Sequence, residues 1–147
     1  MNNRLQTYRE TDTLGKAQID LILQVYDGAI AAFTSARESY ATKNYDGGYA
    51  DLEKAKRFLT HLYTTLDFEQ GGEVANHLGQ LYAYMINQTN VVEASKDIGG
   101  IDSNLKILQN LRQGWSDIKS RAASAAGQPE HAETAPAIPQ AQVNASA

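Results

Sequence analysis

The chain contains no cysteine. That excludes a disulfide framework and any thiolate-bound metal, and it fits a reducing compartment. Basic charge is short as well. Thirteen Lys and Arg stand against seventeen Asp and Glu, for a net charge of −4 and a pI near 5.3. An acidic chain lacks the basic face that nucleic-acid phosphates require, so nucleic acid is not an expected partner. No charged start followed by an apolar run marks an export signal, and no apolar run reads as a membrane span. The three prolines all lie in the C-terminal tail. Asn87-Gln88-Thr89 and Asn144-Ala145-Ser146 match the glycosylation pattern by chance, in a chain without an export signal.

Histidine is scarce, which bears on catalysis. His61, His77 and His131 are the only three. Glu73 and His77 are four apart, whereas a bundle di-iron site needs Glu-x-x-His twice, with two further glutamates. There is no phosphate-binding Gly-rich loop of the required form and no Cys nucleophile. Asp27 and Asp67 lack a second carboxylate at a spacing suited to acid–base work, so capping and salt links are their expected roles. No catalytic residue, metal or cofactor is expected. The enzyme-like rival is a phosphotransfer bundle, whose histidine is closely followed by Lys-Gly. Here His61 precedes Leu62-Tyr63-Thr64 and His77 precedes Leu78-Gly79-Gln80.

What the chain does have is helical periodicity, over a length that predicts one domain. From about Gln18 to Tyr40, Ile19, Ile22, Tyr26, Ala29, Ile30, Phe33, Ala36 and Tyr40 form one stripe. Leu21, Val25 and Ala32 add a second, and Leu23 flanks the other side. The apolar arc spans roughly 200°, about twice what a surface helix needs. A polar break over 42–46 follows, with Asn44 or Asp46 as a cap. The second helix, about Tyr45 to Leu66, faces inward with Tyr49, Leu52, Ala55, Leu59, Leu62, Tyr63 and Leu66. Lys54, Lys56 and Arg57 read as a solvated basic face, with an acidic-partner site as the alternative.

The stretch 66–85, LDFEQGGEVANHLGQLYAYM, organises the rest. Gly71-Gly72 makes a turn where one pattern stops and the next starts. The third helix, about Gly72 to Val92, points Val74, Leu78, Leu81, Tyr82, Met85, Ile86 and Thr89 inward and leaves Tyr84 outside that stripe. Asp97 caps a fourth helix beginning at Ile98, or Asp102 or Ser103 caps a later start. It runs to about Ala122 with Ile101, Leu105, Leu108, Leu111, Trp115 and Ile118 on its face. The expected fold is therefore all-α, an antiparallel up-and-down four-helix bundle over 17–122. An N-terminal arm over 1–16 and a disordered tail over 123–147 flank it. Gly28, in mid-helix, is read as a site of close helix packing.

Three segments carry a resemblance. Leu66 to Met85 has the form L-D-x-E-x-G-G-E, then A-x-x-L-x-x-L-Y-x-Y-M; Leu21 to Ile30 and Leu111 to Ile118 lie on either side of it in order. Together they make the span from Gln18 to Ser120 resemble the flagellin export chaperone family, FliS. One departure is plain: the family's Ser-Pro at the start of the first helix reads Ala17-Gln18 here, a missing cap costing about 1 kcal/mol unless Thr11 or Thr13 serves a longer helix. The resemblance implies the same bundle, no enzymatic activity, and a cytoplasmic chaperone for the disordered C-terminal segment of flagellin. Such a chaperone prevents premature polymerisation and presents its client to the type III export apparatus, whose gate is a second candidate partner. The over-wide arcs of the first two helices are what a client groove would require. The client-facing candidates are Tyr8 on the arm, Ile22, Val25, Tyr26 and Ala29 on the first helix, Leu66 before the glycine turn, and Leu78, Tyr82, Tyr84 and Met85 on the third helix. The resemblance also assigns the arm's Tyr8 as a cover for that groove. A self-associating structural bundle without a client is the competing reading.

Overall fold

The computed structural model describes residues 2–127, with the side chains of residue 15 and of 17–124. Four helices follow one another: α1 Asn2–Ala41, α2 Tyr45–Thr64, α3 Phe68–Ser95 and α4 Gly99–Gly127. Each packs on its chain neighbour, and α4 closes the ring against α1. Connections this short leave only antiparallel neighbours, so the helices alternate up and down. The tail expected to be disordered lies outside the described residues from 128 onward.

The breaks follow local hydrogen bonding. Asn44 caps α2, its side chain accepting from the Gly47 N–H at 3.1 Å. The Asp67 carboxylate accepts from the N–H groups of Glu69 and Gln70 at 3.1 and 3.0 Å. Asp97 accepts from the Gly99 N–H at 2.9 Å, so the earlier of the two expected starts of α4 is the observed one. Each cap satisfies donors that a helix start leaves bare.

Three boundaries differ from expectation; at one, α4 runs on to Gly127, past the expected end near Ala122 and into the first residues assigned to the tail. The first helix does not begin near Gln18; helical backbone runs unbroken from Asn2 through Ala17 and Gln18. A helix interior needs no cap, so the missing Ser-Pro leaves no deficit there. The break expected at Gly71-Gly72 is real, but Asp67 nucleates a helical turn before it. Gly72 then takes φ 53°, ψ −130° and bends the helix. Such a backbone conformation favours glycine.

Tyr26, Phe33, Leu52, Leu59, Met85, Ile101 and Leu108 form the sealed centre of the core. Three residues expected inward are exposed: Tyr49, Tyr63 and Val74. Gly48 takes the inward place beside Tyr49, because the Tyr40 ring fills the space that a Cβ would need. Tyr63, at the end of α2, turns out to meet Phe68, with ring centroids 5.9 Å apart. Val74 sits at the edge of the stripe just past the bend, and Ala75, about 100° further round, is buried instead. Gly28 behaves as expected: a Cβ there would stand 2.5 Å from the Phe58 ring.

Along the outside of the α1–α4 seam, Asp20 pairs with Lys119, Asp27 with Arg112 and Arg37 with Asp102. Exposed pairs of this kind contribute little stability each. Their spacing holds the two helices in register. The stretch Ala17–Ala41 does, against expectation, pass for a membrane span by length and composition, its most apolar 18-residue window having a mean hydropathy of 1.2. Only a third of that window is buried: Leu23, Ala29, Ala32, Phe33 and Ala36 pack into the core, while Leu21 is exposed.

Candidate functional site

The apolar surplus of α1 is not spread evenly. Towards the α1–α2 connection, Ala29, Ala32, Phe33, Ala36 and Tyr40 are all buried. Around the middle of α1, Leu21 is 58% exposed, while Ile22 and Val25 are half-buried. These three line a cavity of about 130 Å³ between α1 and the end of α2. Leu62 and Leu66 form its far wall, and Gln18, His61 and Thr65 stand around it as polar neighbours. Tyr82 from α3 and Trp115 from α4, both buried, close it from within.

The loop after α2 holds Leu66 in place. The Thr65 N–H donates to the His61 carbonyl and the Leu66 N–H to the Tyr63 carbonyl, both at 3.2 Å. The Thr65 hydroxyl donates to the Leu62 carbonyl at 3.0 Å. Asp67 then turns the chain into α3, so the LDFEQGG segment builds a wall of the cavity as well as a turn.

Behind the cavity lies a buried polar network. The hydroxyls of Tyr26 and Tyr82 are 2.5 Å apart, and Trp115 donates from Nε1 to the Tyr26 hydroxyl at 3.2 Å. This network ties α1, α3 and α4 together behind the opening. Burial raises the pKa of Tyr26 well above the usual phenol value. Burial also pushes Tyr82 up to about 12, opposed by hydrogen bonding with Tyr26 and Trp115. Both hydroxyls therefore stay protonated across the physiological range. A second buried network sits further along the α3–α4 seam. Asn104 donates from Nδ2 to the Met85 carbonyl and the Thr89 hydroxyl at 3.0 and 3.1 Å.

The ten candidate residues separate clearly. Ile22, Val25, Leu66 and Tyr82 come together around the cavity. Tyr26, Ala29, Leu78 and Met85 lie in the core, with Leu78 the least enclosed at 8% exposure. Tyr84 is exposed on the outer side of α3, where its hydroxyl accepts from Gln88. The side chain of Tyr8 lies outside the described residues. Leu21, Leu62, Thr65, His61 and Trp115 were not among the candidates. Trp115 had a signal, since it stands in the family-like segment of α4; His61 and Thr65 had none, because only the end of α2 places them. Of the basic cluster on α2, Lys56 is committed to Glu53 at 2.7 Å and Glu93 at 3.1 Å. Among the described residues no cluster of three potential metal ligands occurs.

Comparison with known proteins gives a consistent result. The family model for flagellar protein FliS matches residues 1–122. The flagellar secretion chaperone FliS of Salmonella typhimurium strain LT2 is 29% identical over 114 residues, which cover 77% of this chain and 84% of that protein. Its counterpart in Vibrio cholerae serotype O1 is 27% identical over 122 residues, covering 80% of this chain and 90% of the other. A crystal structure of a flagellar chaperone from bacteria superposes with a TM-score of 0.66 at 22% identity, over 70% of this chain and 84% of that one. That likeness establishes the shared bundle. The family match over residues 1–122, with the ordered motifs around the glycine bend, places this chain in the FliS family of flagellar export chaperones, a non-enzymatic family.

Proposed function

We propose that this chain is a cytoplasmic chaperone for flagellin. It binds the disordered C-terminal segment of flagellin, blocks premature polymerisation and hands the client to the flagellar type III export apparatus. Family membership supports the export role. The observation that carries the client reading is the opening between α1 and α2, where Leu21 is exposed and Ile22 and Val25 are half-buried beside a cavity of about 130 Å³. An amphipathic client helix has the complementary shape and chemistry for such an opening. Ordering the client would offset part of the gross interaction, and burial of apolar surface would make the heat capacity of binding negative.

Residues 1–16, with Tyr8, continue α1 as helix from Asn2, and they are proposed to break from it and fold back over the same opening when no client is bound. Tyr84 is proposed as an outer contact on α3, because it is exposed and aromatic. Tyr26, Ala29, Leu78 and Met85 then serve binding by shaping the groove from the core. The export gate is the proposed receiver of the loaded complex. The test is co-purification with flagellin, full length and lacking its C-terminal segment. Retention of the full-length protein and loss of the truncated one is expected. Equal retention of both would sink the proposal. A chain that scatters light as a stable oligomer and ignores flagellin would favour the self-associating reading.

A further inference from the structure

The network behind the cavity has three donor hydrogens but makes only two hydrogen bonds among the described residues. Trp115 Nε1, the Tyr26 hydroxyl and the Tyr82 hydroxyl bring three donor hydrogens. The Trp115 hydrogen goes to Tyr26, and one hydroxyl hydrogen makes the bond between the two tyrosines. The other hydroxyl hydrogen has no acceptor among the described residues.

The two ways of arranging the pair are not equivalent. Both residues are buried, at 0% and 1% exposure, so exposure does not separate them; if Tyr82 donates to Tyr26, the Tyr26 hydrogen is stranded in the core, away from the cavity lining. A buried donor without a partner is strongly disfavoured. If Tyr26 donates to Tyr82, the surplus hydrogen belongs to Tyr82. Tyr82 lines the cavity and Tyr26 does not. The second arrangement places the unmet hydrogen on the residue where an incoming group can meet it. A water molecule in the cavity could meet it in the resting protein, and an occupant that displaces such water must reproduce the bond or lose affinity.

We propose that the cavity is a polar-tipped site rather than a purely apolar one, with the Tyr82 hydroxyl donating to a carbonyl oxygen of the bound client segment. Tyr26 and Trp115 act as positioning residues that hold the Tyr82 hydroxyl in the accepting orientation towards Tyr26 and so aim its hydrogen outward. The surrounding walls of Leu62, Leu66, Ile22 and Val25 supply the apolar contact. The inference rests on the client reading above for the identity of the occupant, but not for the chemistry of the cavity.

The test has two arms on the full chain. The first uses small probes of matched shape, cyclohexanone and methylenecyclohexane, titrated against the wild type and Tyr82→Phe. Trp115 is the sole tryptophan, so its indole N–H resonance reports occupancy directly. Tyr82→Phe should weaken the ketone about three- to tenfold and leave the alkene unchanged. Equal effects on both probes, or none on either, would overturn the proposal. Should the variant not fold, the carbonyl stretch of cyclohexanone bound to the wild type decides. A shift to lower frequency than in hydrocarbon solvent supports the bond, and an unshifted band refutes it. The second arm measures calorimetric affinity for the flagellin C-terminal segment, where the same variant should lose about three- to tenfold. Ketone selectivity with no segment binding in the wild type would reject the client reading and keep the donor site. Segment binding that Tyr82→Phe leaves unchanged would reject the carbonyl contact and keep the client reading.

Discussion

Two stretches of α1, Gln18–Val25 and Ala29–Tyr40, are built from similar residues and end in opposite situations. From Ala29 to Tyr40 the apolar face is closed, with the small Ala29, Ala32 and Ala36 buried alongside Phe33 and Tyr40. From Gln18 to Val25 it is open, with Leu21 exposed and Ile22 and Val25 at a cavity. The difference lies in the partner. Near its start, α2 offers Gly48, whose missing side chain lets the Tyr40 ring lie against the backbone. Near its end, α2 stops at Thr64 and the chain turns away through Asp67. A stripe of one hydrophobicity can therefore serve as core or as a binding surface, depending on what the neighbouring helix brings to it.

The largest expected effect lies in the closed stretch. Phe33→Ala should cost about 3–5 kcal/mol in urea melts, because the ring is wholly buried and its neighbours cannot collapse to fill the space. A cost below about 1 kcal/mol would mean this stretch is as loosely packed as the other, and the contrast would vanish.

Alkaline pH should act next, from behind the open stretch. Tyr82 in the folded protein titrates near about 12, against an ordinary value of 10.0. The unfolded chain therefore loses that proton first as pH rises. The stabilisation is fully present below pH 10.0 and is lost progressively toward about 12. In that window the group should contribute a fall approaching about 1.4 kcal/mol per pH unit. Tyr82→Phe should flatten the fall. A pH profile identical in the two proteins would show that Tyr82 is not protected by burial.

Gly48→Ala sharpens the comparison from the side of α2. The new methyl would run into the Tyr40 ring, and overpacking of this kind costs about 1–3 kcal/mol. Neutral thermal melts would show that Tyr40 can move aside, leaving the closure of that end unexplained by Gly48.

The smallest stability effects are expected at exposed side chains, one at the opening and one on the outer side of α3. Leu21→Asp and Tyr84→Ala should each change stability by no more than about 0.5 kcal/mol, since both side chains are largely exposed. Leu21→Asp should nevertheless weaken flagellin binding, because it places a charge on the apolar face. Unchanged binding by calorimetry would move the client away from the α1–α2 opening. Loss with Tyr84→Ala would extend the interface onto α3.

Much of the fold was legible because it rests on local chemistry. Asn44, Asp67 and Asp97 act on N–H groups two or three residues away, so their roles can be read from neighbouring letters. Gly72 was legible as a break for the same reason, although the helical turn that Asp67 starts before it was not. Val74 and Tyr49 were assigned inward because periodicity measures an angle and not the presence of a neighbour. The real inward places beside them belong to Ala75 and Gly48, whose small size carries little weight in a hydrophobic pattern. Asn104 shows the same limit from the polar side. Its burial depends on acceptors that α3 presents at Met85 and Thr89.

The candidate site divides in the same way. Ile22, Val25, Leu66 and Tyr82 could be named from the surplus arc and the family-like segments, and the fold gathers them at one cavity. Tyr26 carried the same signals and is buried behind it, because its hydroxyl is drawn to Tyr82 across the bundle. By itself the sequence determined four helices, the places where they break, the short connections that make them antiparallel, and the motifs that carry the family. Those features depend on hydrogen bonds and periodicities within a few residues along the chain. Only the tertiary structure decided which part of the apolar surplus stays open and which tyrosine faces the opening. Burial is set by helices that approach from more than fifty residues away, as Tyr82 approaches Tyr26 over a separation of 56.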